Sequence, residues 1–246
     1  DAFGTGWAAD VHYDRFVFSI PPDRADTTIN YPGKKPDPKS QFIVTNRETL
    51  SQDQLVQDAI MSAKSDGTVA VFVHGYNYSY QEALFRTAQM SADAVAISPP
   101  ILFSWPSAAS VTGYLADKDA ALYSRTQLDS LLKALAKTPK IKRVVLFAHS
   151  MGGFLSMEVA RQLKLEGRDD VLAKLQIVLA APDIDVDVFK SQLHDIGRIP
   201  NPVTLLVSKS DNALSISSFV SGERPRIGLL DINDPLIQEA AKAERL

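Results

Sequence analysis

One serine lies in a setting that would make it a nucleophile. The stretch VLFAHSMGGF, residues 145–154, places Ser150 directly after a run of apolar residues and before two glycines. A hydroxyl becomes a nucleophile when it is exposed, held still and paired with a base, and a sharp strand-to-helix turn supplies the first two conditions. Such a turn needs small neighbours, which Ala148, Gly152 and Gly153 provide. The stretch predicts a nucleophile elbow, and the alternative is that Ser150 is an ordinary helix cap.

The segment VFVHGYN, residues 71–77, is the second candidate for chemistry. Acyl transfer needs backbone N–H groups aimed at the oxyanion that develops on the substrate. Met151, the residue after the nucleophile, would supply one N–H, and Tyr76 would supply the other because Gly75 lets the backbone approach. The alternative is an ordinary strand exit. We predict an oxyanion hole formed by Tyr76 and Met151, and a structural role for His74.

Two aspartates follow later apolar runs and compete for the role of the acid. Asp211 follows VTLLVS, and Asp183 lies in LAAPDID. A carboxylate at the end of a strand can orient an imidazole and stabilise its charged form. We favour Asp211 because its strand is the later one, with Asp183 as the alternative acid. Asp211 could instead cap the helix that follows it.

None of the four histidines is a convincing general base: they are His12, His74, His149 and His194. His149 adjoins the nucleophile, so its ring should point away from the hydroxyl. In strand–turn–helix hydrolases the order along the chain is serine, acid, histidine, and no histidine follows Asp211. We therefore expect the base and one further strand beyond Leu246, and we expect the 246 residues alone to be nearly inactive. The alternative is a protein that has no base and binds rather than cleaves.

The elements that must position these residues follow from the hydrophobic pattern. Five short, unbroken apolar runs alternate with helical segments, which is typical of a mostly parallel central sheet with helices on both faces. The unbroken runs predict strands that are buried on both faces. They are VAVFV from residue 69, ILFSW from 101, RVVLFA from 143, LQIVLAA from 175 and VTLLVS from 203.

Two capping signals and a repeat of leucines predict where helices lie between these strands. Ser51 with Gln54 and Ser79 with Glu82 have the spacing of capping boxes. Leucines at 128, 131, 132 and 135 predict one amphipathic helix over residues 116–137. Residues 1–45 read as antiparallel edge strands around a proline-rich loop. We predict a single α/β domain over residues 1–246.

Composition excludes several classes of function. The net charge of −3 gives no footprint for nucleic acid. The absence of cysteine excludes disulfides, thiolate chemistry and cysteine-ligated metals. No apolar run approaches the roughly 18–20 residues that span a bilayer. Neither a metal nor a cofactor is expected. The chain begins at Asp1 without a basic and apolar leader, so we read it as a processed product and favour a periplasmic or secreted location over a cytoplasmic one.

Several short motifs occur in one order along the chain: SIPP, TNR, HGYN, FSWPS, AHSMGG and APDID. In this combination, over residues 11–232, the sequence resembles the α/β-hydrolase superfamily, and within it a bacterial branch of serine esterase-like or lipase-like proteins. The resemblance implies a carboxylesterase that forms an acyl-enzyme on Ser150, with Asp211 as acid and Tyr76 and Met151 as oxyanion donors. Ala148 departs from the glycine usual at the first elbow position.

The substrate that this resemblance implies is a small ester. Tyr78 and Trp105 lie near strand ends and would contact it, although both are equally suited to the aromatic core. A short-chain or small aromatic ester is expected because no long apolar lid segment is present. Two rival functions remain: a catalytically inactive relative that serves as a binding module, and an acyltransferase that passes the acyl group to an alcohol.

Overall fold

An antiparallel hairpin opens the chain. The computed structural model describes residues 4–22, 24, 28–63, 65–93, 99–207 and 225–244. Strand β1 (Tyr13–Ser19) pairs with β2 (Ile43–Leu50) in antiparallel register. The predicted antiparallel pair is confirmed, but it forms a separate two-stranded sheet instead of the edge of the central one. The strand at that edge has only three residues and follows Pro99 and Pro100, which have no N–H to extend a ladder.

Within the described residues, the central sheet has five parallel strands in the order β4-β3-β5-β6-β7. Each strand lies within one of the five apolar runs, or extends it by one residue, so the parallel α/β prediction is confirmed. Ligands of such sheets bind beyond the carboxyl ends of the strands. The strands are β3 (Thr68–Val73), β4 (Ile101–Phe103), β5 (Arg143–His149), β6 (Leu175–Ala180) and β7 (Thr204–Leu206).

Both predicted capping boxes are present. The Gln54 N–H donates to Ser51 Oγ while the Ser51 N–H donates to the Gln54 side chain, and Ser79 and Glu82 exchange the same two bonds. The described helices are α1 (Gln52–Ser62), α2 (Tyr80–Asp93), α3 (Tyr114–Tyr123), α4 (Arg125–Lys137), α5 (Met151–Leu165), α6 (Asp169–Leu172), α7 (Val186–Ile196) and α8 (Pro235–Glu244), with single 3₁₀ turns at Val111–Gly113 and Ile227–Leu229.

The helix predicted over residues 116–137 is two helices. A break at Ser124 separates α3 from α4. The Ser124 hydroxyl donates to the carbonyl of Ala120, and its N–H is shared between the carbonyls of Ala120 and Ala121. A serine that bonds back to the preceding turn competes with the helical ladder, which explains the break.

The two faces of the central sheet differ in burial. On one face of β5, Val144, Leu146 and Ala148 are fully buried in the main core, which helices α4 and α5 share. On the other face Val145 and Phe147 are half-buried, and β6 alternates in the same way. Burial on both faces, predicted for all the strands, holds for β3 and only in part for β5 and β6, and it is wrong for β7, where Thr204 and Leu206 are exposed. Helix α2 packs against β4. Its residues Phe85 and Ala88 also form a second, smaller cluster with Phe42, apart from the main core.

Candidate active site

Ser150 occupies a sharp turn between β5 and α5. Its backbone has φ 52° and ψ −121°, a conformation that costs energy for a residue with a side chain. Neighbouring backbone holds it there, because the Ser150 N–H donates to Ala180 O at 3.0 Å, and the Ser150 carbonyl accepts the N–H groups of Gly153 and Asp183 at 2.9 and 3.1 Å. The Ser150 side chain makes no capping hydrogen bond to α5. The predicted strand–turn–helix geometry is therefore present, and the alternative of an ordinary cap does not describe it.

The small residues beside Ser150 allow two close backbone contacts. A Cβ atom on Gly152 would lie 2.4 Å from the His74 carbonyl oxygen and 2.6 Å from that of Val73, so α5 begins directly against the end of β3. A Cβ atom on Gly153 would meet Pro182 at 3.2 Å, on the side of β6. Ala148 is fully buried and pairs with Val73 in the sheet, where its methyl group is accommodated.

The two predicted oxyanion donors flank this turn. Met151 is the first residue of α5, so its N–H has no partner within the helix. The Tyr76 N–H makes no hydrogen bond to another residue of the described chain. Gly75 lies so close to Ser150 that a Cβ there would be 2.9 Å from Ser150 Cβ. The end of β3 thus brings the Tyr76 backbone beside Ser150, as an oxyanion hole requires.

A buried aspartate that sequence reasoning missed supports the Tyr76 turn. Asp117, on α3, is fully buried and accepts the N–H of Asn77 at 3.1 Å. Asn77 has φ 58°, in the left-handed region that asparagine tolerates better than most residues. The Tyr76 hydroxyl donates to the Val111 carbonyl, and burial together with nearby Asp117 raises its pKa. The sequence held one signal of the burial of Asp117: it lies on the same face of the helix as Tyr114 and Ala121.

His74 is held as a structural residue. It is 1% exposed, its Nδ1–H donates to the Gly75 carbonyl at 2.9 Å, and its Nε2 accepts the Trp105 N–H at 3.1 Å. Burial lowers its pKa to about 4, because the charged ring would be desolvated. The ring also stacks on Trp105 with centroids 4.9 Å apart. These contacts agree with the structural role predicted for His74.

The two aromatic residues proposed to contact substrate have different surroundings. Trp105 is 2% exposed, and its indole N–H donates to the His74 carbonyl at 2.8 Å. Tyr78 is half-buried, with its ring between those of His74 and His149, at 5.8 and 6.1 Å. Both line a groove of about 1330 Å³ between β1 and β4. Ser150 is not among the described residues that line this groove.

Of the two candidate acids, only Asp183 lies within the described residues. Asp211 lies outside them. The Asp183 carboxylate is buried after β6 and forms an ion pair with the buried Arg226, with 3.3 Å between Oδ1 and Nε. Arg226 also donates to the Tyr114 hydroxyl at 3.4 Å. Backbone bonds from Ile227 to Ile184 and from Gly228 to Pro182 hold this segment beside the elbow.

No histidine ring hydrogen-bonds the Ser150 hydroxyl in the part of the chain that the structure describes. His12 and His194 are exposed. His149 packs edge-on against Tyr78, on the face of the sheet opposite the main core. The identity of the base therefore stays a prediction.

Within the described ranges, no cluster of three or more histidine, aspartate or glutamate side chains could hold a metal ion. No helix in those ranges combines the length and apolar character needed to cross a bilayer.

Comparison with known proteins adds one match. No curated protein matches the chain. A family model described as an alpha/beta hydrolase of unknown function, DUF900, matches residues 48–246. This range covers the central sheet, the turn at Ser150, the turn at Tyr76 and both candidate acids. The strand order, the strained serine after β5 and this match together place the chain in the DUF900 family of alpha/beta hydrolases.

Proposed function

We propose that this protein is a serine hydrolase that cleaves carboxylic esters through an acyl-enzyme on Ser150. The observation that carries the proposal is the strained Ser150 turn, whose hydroxyl caps no helix. Beside it stand the N–H groups of Met151 and Tyr76. A helix N-terminus and an unbonded turn N–H are the donors that stabilise a tetrahedral oxyanion.

The reaction follows from this geometry. Ser150 Oγ attacks the ester carbonyl carbon and gives its proton to a general base. The carbonyl oxygen takes up negative charge and accepts hydrogen bonds from Tyr76 and Met151, each of which is worth roughly 10²–10³-fold in kcat. Collapse expels the alcohol, which takes the proton from the base, and water then releases the acid by the same steps in reverse.

Asp211 is the preferred acid in this mechanism. Its rival Asp183 is already paired with the buried Arg226 guanidinium, which competes with an imidazole for the same carboxylate. We therefore expect Asp211→Asn to lower kcat far more than Asp183→Asn.

A small substrate suits the surroundings of the serine. Ser150 is only 8% exposed, which favours a compact acyl group at the reacting centre. Tyr78 is the better candidate for a substrate contact, because Trp105 is buried and fixed by two hydrogen bonds to His74. We propose short-chain or small aromatic esters as the substrate class.

Ester hydrolysis by matched variants of the natural full-length protein tests the proposal. We expect wild type to hydrolyse p-nitrophenyl acetate and butyrate, and Ser150→Ala to lose at least about 10³-fold in kcat. Ser156→Ala is the matched control. This serine lies on the same helix, is fully buried and has no hydrogen-bond partner among the described residues, so we expect full activity. Equal rates for wild type and Ser150→Ala would refute the proposal and favour a binding module.

A further inference from the structure

One buried carboxylate joins the two loops that follow neighbouring strands β3 and β4. Asp117 Oδ2 accepts the Asn77 N–H at 3.1 Å and the Ser107 hydroxyl at 2.6 Å, and Oδ1 accepts the Ala108 N–H at 2.5 Å. Asp117 is fully buried, and no cation is among its described partners. A carboxylate that gathers three donors from two loops fixes both loops relative to helix α3.

These contacts lie next to the Tyr76 N–H, the proposed oxyanion donor. Asn77 directly follows Tyr76, so the bond to Asp117 fixes the peptide unit on the far side of Tyr76. The Tyr76 hydroxyl is tied separately to the Val111 carbonyl, three residues before the start of α3. The backbone and the side chain of the same residue are thus both anchored to one segment, while its N–H is left without a described partner.

We propose that Asp117 is a positioning residue for the oxyanion hole, and that it sets the direction of the Tyr76 N–H by holding the Asn77 N–H and the loop at residues 107–108. The proposal rests on the proposed function and adds a residue that does not touch the substrate. The two N–H groups of this turn then have different roles: the Asn77 N–H donates to Asp117, and the Tyr76 N–H is the donor to the oxyanion.

Asp117→Asn is the principal test variant. An amide has one acceptor oxygen and an NH₂ group, so in either orientation at least one of the three donors loses its acceptor. We expect kcat on p-nitrophenyl acetate to fall about 10–100-fold while KM changes less than about 3-fold, because the lost interaction acts in the transition state. We expect amide hydrogen exchange in residues 75–79 to become at least about 10-fold faster.

Two further variants make the test decisive. Asp129→Asn is the matched control, because Asp129 is also a buried aspartate, lies on the next helix and pairs with Lys133. It should lower stability without changing kcat or exchange at 75–79. Ser107→Ala removes one donor to Asp117 and should give a smaller loss of kcat in the same direction, which keeps the test available if Asp117→Asn folds poorly.

The outcomes separate this inference from the proposed function. Unchanged exchange at residues 75–79 in Asp117→Asn and Ser107→Ala would overturn the positioning role. The positioning role would also be overturned if Asp117→Asn exchanged faster at residues 75–79 but kept the same kcat as Asp129→Asn. If wild type shows no Ser150-dependent turnover, the proposed function fails, and the exchange measurement alone then decides whether Asp117 positions the turn.

Discussion

Different kinds of interaction hold the two sides of Ser150, one at the end of β3 and the other at the end of β6. On the β3 side, a neutral His74 and the Asp117 carboxylate bond mainly to backbone groups. On the β6 side, a buried ion pair between Asp183 and Arg226 joins two segments that are far apart in sequence. Hydrogen bonds fix direction, whereas an ion pair in the interior fixes proximity at a large cost in desolvation.

The two kinds of interaction suit different functions on the β3 side and the β6 side of Ser150. The β3 side carries the Tyr76 N–H, the proposed oxyanion donor, and its contacts are directional. The β6 side supports the elbow through the bond from the Asp183 N–H to the Ser150 carbonyl. We therefore expect disturbance of the β6 side to reduce stability more than activity, and disturbance of the β3 side to reduce activity as well as stability.

Removal of Arg226 is the strongest test of the β6 side. Arg226→Met removes the guanidinium that pairs with the buried Asp183 carboxylate, and the loss of one partner from a buried pair costs about 3–5 kcal/mol. Replacement of both partners, Asp183→Leu with Arg226→Met, removes both members of the pair and should recover at least about half of that loss. Guanidinium unfolding of wild type, the single variants Arg226→Met and Asp183→Leu, and the double variant measures these values. A double variant as unstable as the sum of the two single variants would show that the pair is not coupled.

The pH dependence of stability tests the β3 side. The pKa of His74 is about 4 in the folded protein and about 6.5 in the unfolded chain. Between these values the unfolded state binds a proton that the folded state does not, so the free energy of unfolding falls as the pH drops from about 6.5 to about 4. The total contribution is about 3 kcal/mol.

Denaturant titrations across this pH range measure the effect with two variants. His74→Gln should flatten the pH dependence, because it removes the titrating group. His194→Gln, at an exposed position on α7, should keep the slope of wild type. A wild-type slope in His74→Gln would mean that other groups cause the acid destabilisation.

Local pattern was sufficient to predict the strands and the elbow. Apolar runs locate β3 to β7, and small residues around Ser150 identify the turn, because both signals lie within about ten residues of chain. The supporting contacts join distant residues. Asn77 and Asp117 are 40 residues apart, and Arg226 and Tyr114 are 112 apart, so only the folded arrangement pairs them. The break at Ser124 escaped prediction for a local reason, since the leucine repeat of α4 continues the helical pattern of α3.

Gly152 and Gly153 lie next to each other in the first turn of α5, and each contacts a different side of the Ser150 turn. Substitutions at the two positions therefore compare the β3 side with the β6 side. Gly152→Ala drives a methyl group into the backbone carbonyls of His74 and Val73, which lie at the buried end of β3 and cannot move aside. We expect a loss of about 2–3 kcal/mol. We also expect kcat to fall at least about 10-fold, since the end of β3 shifts away from Ser150 and with it the Tyr76 donor.

Gly153→Ala is the matched variant, because it has the same chemistry and gains the same helix propensity at the next position of α5. Its methyl group meets the Pro182 ring at 3.2 Å, a side-chain contact that a few tenths of an ångström relieve. We expect a change in stability of less than about 1 kcal/mol and a kcat within about 2-fold of wild type. Thermal unfolding and ester hydrolysis measure both variants side by side. If the two variants lose equal stability and equal activity, the close approach of α5 to β3 is not what holds the Tyr76 donor beside Ser150, and the assignment of activity to the β3 side would have to be abandoned.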